Sequence, residues 1–395
     1  MVDYLVPDWA NAALLIIDVQ NDFVGGPAAV AGTREVIPAI ADTAAEFRRL
    51  GRPIVHVVRS YRPGESDVDL LRRTAIEAGD AVVAPGTPGA EIPIELLPGD
   101  VEYDWDSLRF GAVQEIGDTE FILYKPRWSA FFRTPLDSLL GDHDVTTVVV
   151  VGCNLPNCPR ASLTEASELD YRTVLVTDAT SQATAERVAD LGLIGVQMRT
   201  SAQTVQAMAA EELLGEAESL WVSGLESLDD DSPVDLDVPS GCGDWTIREL
   251  VDHVAGGGER YRILLDGGSA EDTAATRGLD YVGDDPIGTF WEHEHRLRES
   301  AERVDLSRLV DHRAGKRSGA ELMVLRILEL TVHSKDLADA LGTPWRPGDE
   351  LTDFLLREAA EVVDQMRDLG HIGPVMPTGS EAAAADRLLA FVGRA

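Results

Sequence analysis

Three polar side chains in the first half of the chain stand where short apolar runs stop. Asp18 follows "ALLII", Lys125 follows "FILY", and Cys158 lies in the loop beyond "VVVVG". If these runs are parallel strands, their C-terminal ends share one edge, where open α/β sheets keep their chemistry. A carboxylate, an ammonium and a thiol converging there would suit nucleophilic catalysis. Asp18 could take the thiol proton, Lys125 could stabilise the thiolate, and turn N–H groups could hold an oxyanion. Cys158 also precedes "PRASLTEASELDY", a helix opened by proline, so its sulfur would face unpaired N–H groups and the positive end of a helix dipole. Plainer roles exist for each: a small buried residue in a tight turn, a turn cap, a surface charge.

The second half carries a different set. "ELTVH" puts Glu329 and His333 four residues apart on one helix face, and "LVDHVAGG" puts His253 on another helix. Two histidines and a carboxylate suit zinc or a similar divalent ion with open positions. The plainer alternatives are an ordinary helical pair and a polar helix-face residue.

The elements that must position these groups fall into two rhythms. Runs at 13–18, 53–58, 121–125, 146–152, 173–179 and 195–200 read as strands, with helical patterns at 36–51 and 183–192. Apolar strands separated by helices predict a parallel sheet covered on both faces. The stretch from 59 to 120 reads as loops with one helix around "DVDLLRRTAIEAG". Beyond residue 205 the strand rhythm stops. Helices are expected at 203–228, 246–265, 287–304, 318–342 and 349–370, a bundle. The expected architecture is therefore a three-layer α/β domain, 1–207, followed by an all-α domain, 208–395. The segment "DDDSP" reads as a loop inside the second.

Composition limits the partners. A chain of 395 residues exceeds the usual domain size, and 44% apolar residues support proper cores. Three scattered cysteines make no disulfide framework, and neither a signal peptide nor a bilayer-long apolar run is evident, which predicts a reduced, cytoplasmic protein. With 34 basic against 69 acidic side chains the net charge is −35, so nucleic acid and membrane are poor partners.

"LLIIDVQNDF", "YKPRWSAFFRTPLDSLL" and "VVVVGCNLPNCPRASLTEASELDYRTVLVTDATS" resemble the isochorismatase-like cysteine hydrolase superfamily, which includes nicotinamidases and N-carbamoyl amidohydrolases. The resemblance covers residues 1 to about 205. It implies Asp18 as general base, Lys125 as the orienting and stabilising cation, and Cys158 as nucleophile. It further implies a cis peptide at Cys153–Asn154, aiming the N–H groups of Asn154 and Cys158 at the oxyanion. The chain departs from the family in "GCNLPNCPR", which lacks the usual threonine and adds Pro156 and Pro159. Cys153 stands where an aliphatic residue is usual and reads as core. In place of the "D-x-H" metal motif of nicotinamidases the chain has Arg59, Tyr61 and Arg62, so no metal is expected in the first domain. Arg59, Arg127 and Arg160 near the strand ends suit a carboxylate, and Trp128 could wall the pocket.

"VPSGCGDWTIRELVDHVAGG", "LELTVHSKDLADALG" and "DRLLAFVGR" resemble the metal-binding domain of mycothiol-dependent maleylpyruvate isomerases, within the DinB-like bundles. That resemblance implies His253, Glu329 and His333 as ligands of a divalent metal, zinc first, which can activate a low-molecular-weight thiol such as mycothiol. Asp336, one turn beyond His333, reads either as its outer partner or as a helix-surface acid. The remaining histidines His293, His295, His312 and His371 match no motif and read as structural. The leading expectation is a fusion hydrolase that cleaves an amide-type C–N bond in a small, anionic molecule through an acyl-enzyme. Two rivals stand beside it: a thiol-dependent transferase or isomerase acting in the bundle, and a small-molecule binding protein without turnover. Relatives of the first domain commonly associate, so a homo-oligomer is a further expectation.

Overall fold

The computed structural model describes residues 4–65, 67–228, 235–304, 306, 308–379 and 382–394, and the expected "DDDSP" loop lies outside them. The chain divides into two compact units, Tyr4–Ala210 and Glu211–Ala395. In the first, seven strands form one sheet: β1 (Ala12–Ile17), β2 (Ile54–Val58), β3 (Val113–Gly117), β4 (Glu120–Tyr124), β5 (Thr147–Gly152), β6 (Arg172–Thr180) and β7 (Gln197–Arg199). Their order is β3-β4-β2-β1-β5-β6-β7, with every pairing parallel except β3 with β4. The chain leaves β1 toward β2 on one side and returns to β5 on the other, so the switch point lies at β1 and β5.

The sheet forms because its central strands have no polar face to offer. β1, "AALLII", is buried at every position. Its alternate residues enter two separate cores: Leu14 and Ile16 join Phe47 and Ile40 on one side, while Leu15 and Ile17 join Leu163 and Leu140 on the other. Both faces are therefore covered, as the continuous apolar runs predict. The edge strand β3 departs from the loops expected over 59–120. Its burial is only partial, and its sequence "VQEIG" holds too few apolar residues to signal a strand.

The second unit is helical: Ile247–Leu265, Pro286–Arg303, Gly319–Leu341 and Ala384–Phe391 pack with shorter helices around Trp221, Phe290 and Leu330. Thr246 with Glu249, and Ser318 with Glu321, form capping boxes that start two of these helices. The helix expected over 349–370 is two, Asp349–Glu358 and Ala360–Asp368, and nothing in its composition explains the break. A short hairpin, Leu309–His312 with Gly315–Ser318, stands where no strand is expected. It carries one buried residue per strand, too little periodicity to read. No helix among the described residues is long and apolar enough to cross a membrane.

Candidate active site and histidine pocket

Register brings the first set of residues together. The Asp18 amide donates to Val57 O at 2.9 Å, the Lys125 amide to Val58 O at 3.0 Å, and the Cys153 amide to Ile17 O at 2.8 Å. Strand ends of β1, β2, β4 and β5 thus lie side by side, carrying Asp18, Arg59, Lys125 and the Cys153–Cys158 loop. Gly152 makes this packing possible. Its φ is +116°, and a Cβ there would fall 2.3 Å from Ile17 O. Asp18 itself has φ +54°, a left-handed conformation of order 1 kcal/mol above the usual basins, tolerated by aspartate better than by most residues. The Cys153–Asn154 peptide bond is cis, and Cys158 opens the helix Cys158–Glu168 with Pro159 beside it.

Lys125 Nζ donates to Asp18 Oδ2 at 2.8 Å, with both side chains buried. Cys158 shares the pocket wall with that carboxylate, close enough for Asp18 to raise its thiol pKa. On the far side, Arg59 Nη2 lies 3.7 Å from Cys158 Sγ, its Nε 4.0 Å from Asp18 Oδ2 and its Nη1 3.1 Å from Asp69 Oδ2. Tyr61 donates to that same Asp69 oxygen at 2.9 Å. Burial pushes the Cys158 thiol up, and Asp18 pushes it the same way, while Lys125 and Arg59 pull it down. The resting sulfur is therefore a protonated thiol beside a carboxylate that can receive its proton. Cys153 differs. Burial drives its thiol up to about 12, with hydrogen bonds from Thr33 and Ser181 the main relief. It packs in the core on one face of the sheet.

A small pocket of about 50 Å³ opens on Cys158, with Asp18, Arg59, Trp128 and Asn154 in its wall. Arg127 and Arg160 are not part of that wall. Arg127 donates to Pro126 O at 2.7 Å and to Asp67 O at 3.2 Å. Arg160 lies 3.7 Å from Asp190 and is largely exposed. Strand-end position brings all three arginines near the rim, but side-chain length lets two of them turn to partners elsewhere. Asp69 and Tyr61, which hold Arg59, carry no signal in the sequence beyond their closeness to it.

This geometry has one directional consequence for Asp18→Asn. Asp18 raises the Cys158 pKa chiefly by its charge, and the amide removes that charge. The midpoint of iodoacetamide labelling against pH should move down and labelling at pH 7.5 should speed up, while any hydrolysis is lost with the base. An upward move of the midpoint would contradict the contact.

In the second unit, His253 on the helix Ile247–Leu265 meets Glu329 and His333 on the helix Gly319–Leu341. His253 Nε2 lies 3.1 Å from Glu329 Oε1, and the two imidazoles meet edge to face with centroids 5.2 Å apart. Gly257 permits the approach: a Cβ there would fall 2.6 Å from both Arg326 Nη1 and Glu329 Oε2. Arg326 is wholly buried, donating to Glu294 Oε2 and, at 2.8 Å, to Glu329 Oε2. His333 Nδ1 lies 2.9 Å from Asp336 Oδ2, and Arg394 donates to both oxygens of that carboxylate at 2.9 Å. Cys242 Sγ lies 4.0 Å from His333 Nδ1 and accepts from Arg394 at 3.3 Å.

These residues fit a divalent metal. Burial lowers the His253 pKa and so favours the neutral, ligating imidazole, even against the pull of Glu329. Burial would raise Glu329, but His253 and Arg326 hold its carboxylate ionised. Asp336 binds His333 through Nδ1, which leaves Nε2 for the pocket, the usual outer arrangement around a ligating histidine. Burial alone would lower His333, but the hydrogen bonds to Asp336 and Cys242 raise it to about 9. Among the described residues, the ligand atoms that gather within 4.8 Å of one another are those of Cys242, His333 and Asp336, not the expected set of His253, Glu329 and His333. Arg394 already occupies both oxygens of Asp336, so that carboxylate serves as His333's partner. The bundle pocket is far larger, about 810 Å³, and His312 and His371 line it. Reading those two as structural missed this, because they come from the hairpin and from a loop that no motif marks.

A doubly wound sheet with an acid, an amine and a thiol at its switch point defines an α/β protein with a cysteine-centred pocket, here joined to a helical bundle. The chain belongs to the isochorismatase family through its first half, matching the isochorismatase domain over residues 12–208, and it carries a mycothiol maleylpyruvate isomerase N-terminal domain over residues 214–338. It is 34% identical over 200 residues to a probable inactive nicotinamidase of Arabidopsis thaliana, covering 49% of this chain and 93% of that one. It is 29% identical over 211 residues to a ureidoacrylate amidohydrolase of Methylobacterium radiotolerans, covering 48% and 74%. Among solved structures, an isochorismatase family protein from Desulfovibrio vulgaris aligns at 35% identity over 50% of this chain and 98% of its own, with a TM-score of 0.43.

Proposed function

We propose that the first unit is a cysteine hydrolase of an amide-type C–N bond in a small, anionic molecule. The observation that carries this is a buried carboxylate, Asp18, 2.8 Å from Lys125 Nζ and in the same pocket wall as the Cys158 thiol. Asp18 takes the thiol proton as the sulfur attacks the carbonyl carbon, and the N–H groups of Asn154 and Cys158 receive the oxyanion. The C–N bond breaks as the amine departs with the proton from Asp18, leaving a thioester. Water, giving its proton to Asp18, then releases the acid and restores the thiol. Lys125 pairs with Asp18 and offsets charge on the sulfur. Arg59 and Trp128 face the substrate, whereas Arg127 and Arg160 lie outside the pocket wall. The name of the ureidoacrylate amidohydrolase relative supports C–N cleavage. Intact-mass spectrometry after incubation with a panel of amides and ureido acids tests it: a covalent adduct on Cys158 is expected. Turnover without any modification of Cys158 across that panel would remove the mechanism.

The bundle is read as a divalent-metal site on His253, Glu329 and His333, zinc first, whose chemistry when bound is to ligate and activate a low-molecular-weight thiol such as mycothiol. The chain's own residues present two imidazoles, His253 and His333, and the Glu329 carboxylate to a single pocket. His253→Ala or His333→Ala should strip the ion, and Asp336→Asn should weaken its binding by about 10–100-fold, measured by elemental analysis and chelator competition. Unchanged metal content in both histidine variants would move the site elsewhere. The volume of the bundle pocket favours a second reading, a thiol-dependent transferase or isomerase acting there. Its signature is a rate that needs the thiol, survives Cys158→Ala and disappears with His253→Ala. Small molecules in the cytoplasm remain the proposed partners, and self-association is testable by light scattering.

A further inference from the structure

The Arg59 guanidinium is 2% exposed, yet it stands in the wall of the nucleophile's pocket. Its partners account for only part of it. Among the described residues, Nε has no hydrogen-bond acceptor, and Nη1 approaches Asp69 at 3.1 Å without the alignment of a hydrogen bond. Among the same residues, Nη2 meets the Cys158 sulfur alone, at 3.7 Å. Asp18 Oδ1, on the same wall, is likewise buried without a partner. A buried donor left without an acceptor is costly, so a ligand that supplies one is favoured on binding. A guanidinium has five N–H donors and no acceptor, which fits a carboxylate oxygen and rejects an ammonium or an amide N–H.

Position narrows the ligand further. An acceptor hydrogen-bonded at about 2.9 Å to a nitrogen 3.7 Å from Sγ lies within about 6.6 Å of that sulfur, a range that includes positions one or two bonds from an acyl carbon attached to it. The small pocket leaves little room for a longer reach. Arg127 and Arg160, turned to Asp67 and Asp190, cannot hold a more distant anion in its wall. We infer that Arg59 recognises a carboxylate one or two bonds from the scissile carbonyl, so that the substrates are short acidic amides of the oxamate or malonamate type. This rests on the hydrolase reading of Cys158 and specifies what that site accepts.

Alkylation of the full-length protein separates the two ideas. Iodoacetate and iodoacetamide differ only in the carboxylate beside the reacting carbon. In both, the sulfur forms a bond to the methylene carbon and iodide leaves with the C–I electron pair. Rates are read at Cys158 by peptide mass mapping and normalised to those of free cysteine. In the wild type, iodoacetate should be favoured at least about 10-fold relative to free cysteine, and oxamate should protect where acetamide does not. Arg59→Gln should return the ratio to that of free cysteine, and Arg59→Lys should retain part of it. A wild-type ratio equal to that of free cysteine overturns the inference, and it needs no variant to fold. Equal slowing of both reagents in Arg59→Gln also overturns it, because the guanidinium would then act only on the sulfur. If Cys158 resists both reagents up to pH 9, or turnover persists after alkylation, the hydrolase reading fails first and the inference with it.

Discussion

Replacing Cys158 with alanine should lower hydrolysis by at least about 10³-fold and leave the protein folded, because the proposed route runs through a covalent bond to that sulfur. The side chain packs beside Leu155 and Leu163 with 7% of its surface exposed, so its loss opens little new cavity. The thermal midpoint should therefore move by no more than a few degrees. Two further measurements make the result specific. The covalent adduct seen with amides should vanish from the mass spectrum, and metal content in the bundle should be unchanged. Cys153→Ala is the matched control. Its thiol also lines the pocket, but no cation lowers it as Lys125 and Arg59 lower Cys158, so turnover should persist. Full activity in the Cys158 variant would leave the bundle as the candidate for chemistry.

The second large effect concerns Lys125, which has no exposed surface and sits 2.8 Å from Asp18. Lys125→Met keeps the bulk and removes the charge, leaving Asp18 with only the more distant Arg59 at 4.0 Å. Breaking a buried pair from one side costs roughly 3–5 kcal/mol, since the remaining charge stays desolvated. For a unit of this size, 3 kcal/mol corresponds to a fall of roughly 6–12 °C in the midpoint of its melting transition. Lys125 also lowers the thiol, so labelling of Cys158 should shift to higher pH in this variant, opposite to Asp18→Asn. The double variant Asp18→Asn with Lys125→Met should recover much of the stability, because both charges are then gone. A double variant as unstable as Lys125→Met alone would show that the amine acts through packing.

Much of this was readable because the code for it is local. β1, β2, β4 and β5 announce themselves as unbroken apolar runs, and such runs demand a sheet covered on both faces. Thr246 and Ser318 mark helix starts through capping boxes that span only four residues. Glu329 and His333 share a face for the same reason, since four residues make about one turn. What escaped was non-local or weakly periodic: the partly buried edge strand β3, the hairpin at 309–318, and the pocket-lining roles of His312 and His371.

The sequence by itself determined which residues stand at strand ends and helix faces, because hydrophobic period and caps act within a few positions. It therefore sufficed to nominate Asp18, Lys125 and Cys158, and likewise His253, Glu329 and His333. Only the tertiary structure decided among the arginines, since a long side chain at the rim can turn either way. Arg59 is drawn inward by Asp69, while Arg127 and Arg160 turn to Asp67 and Asp190. Likewise only packing made Asp336 the partner of His333, with Arg394 arriving from the other end of the unit to fix it. The reason in each case is that a charge's partner is chosen by distance in space and by loss of solvent, neither of which is written in sequence spacing.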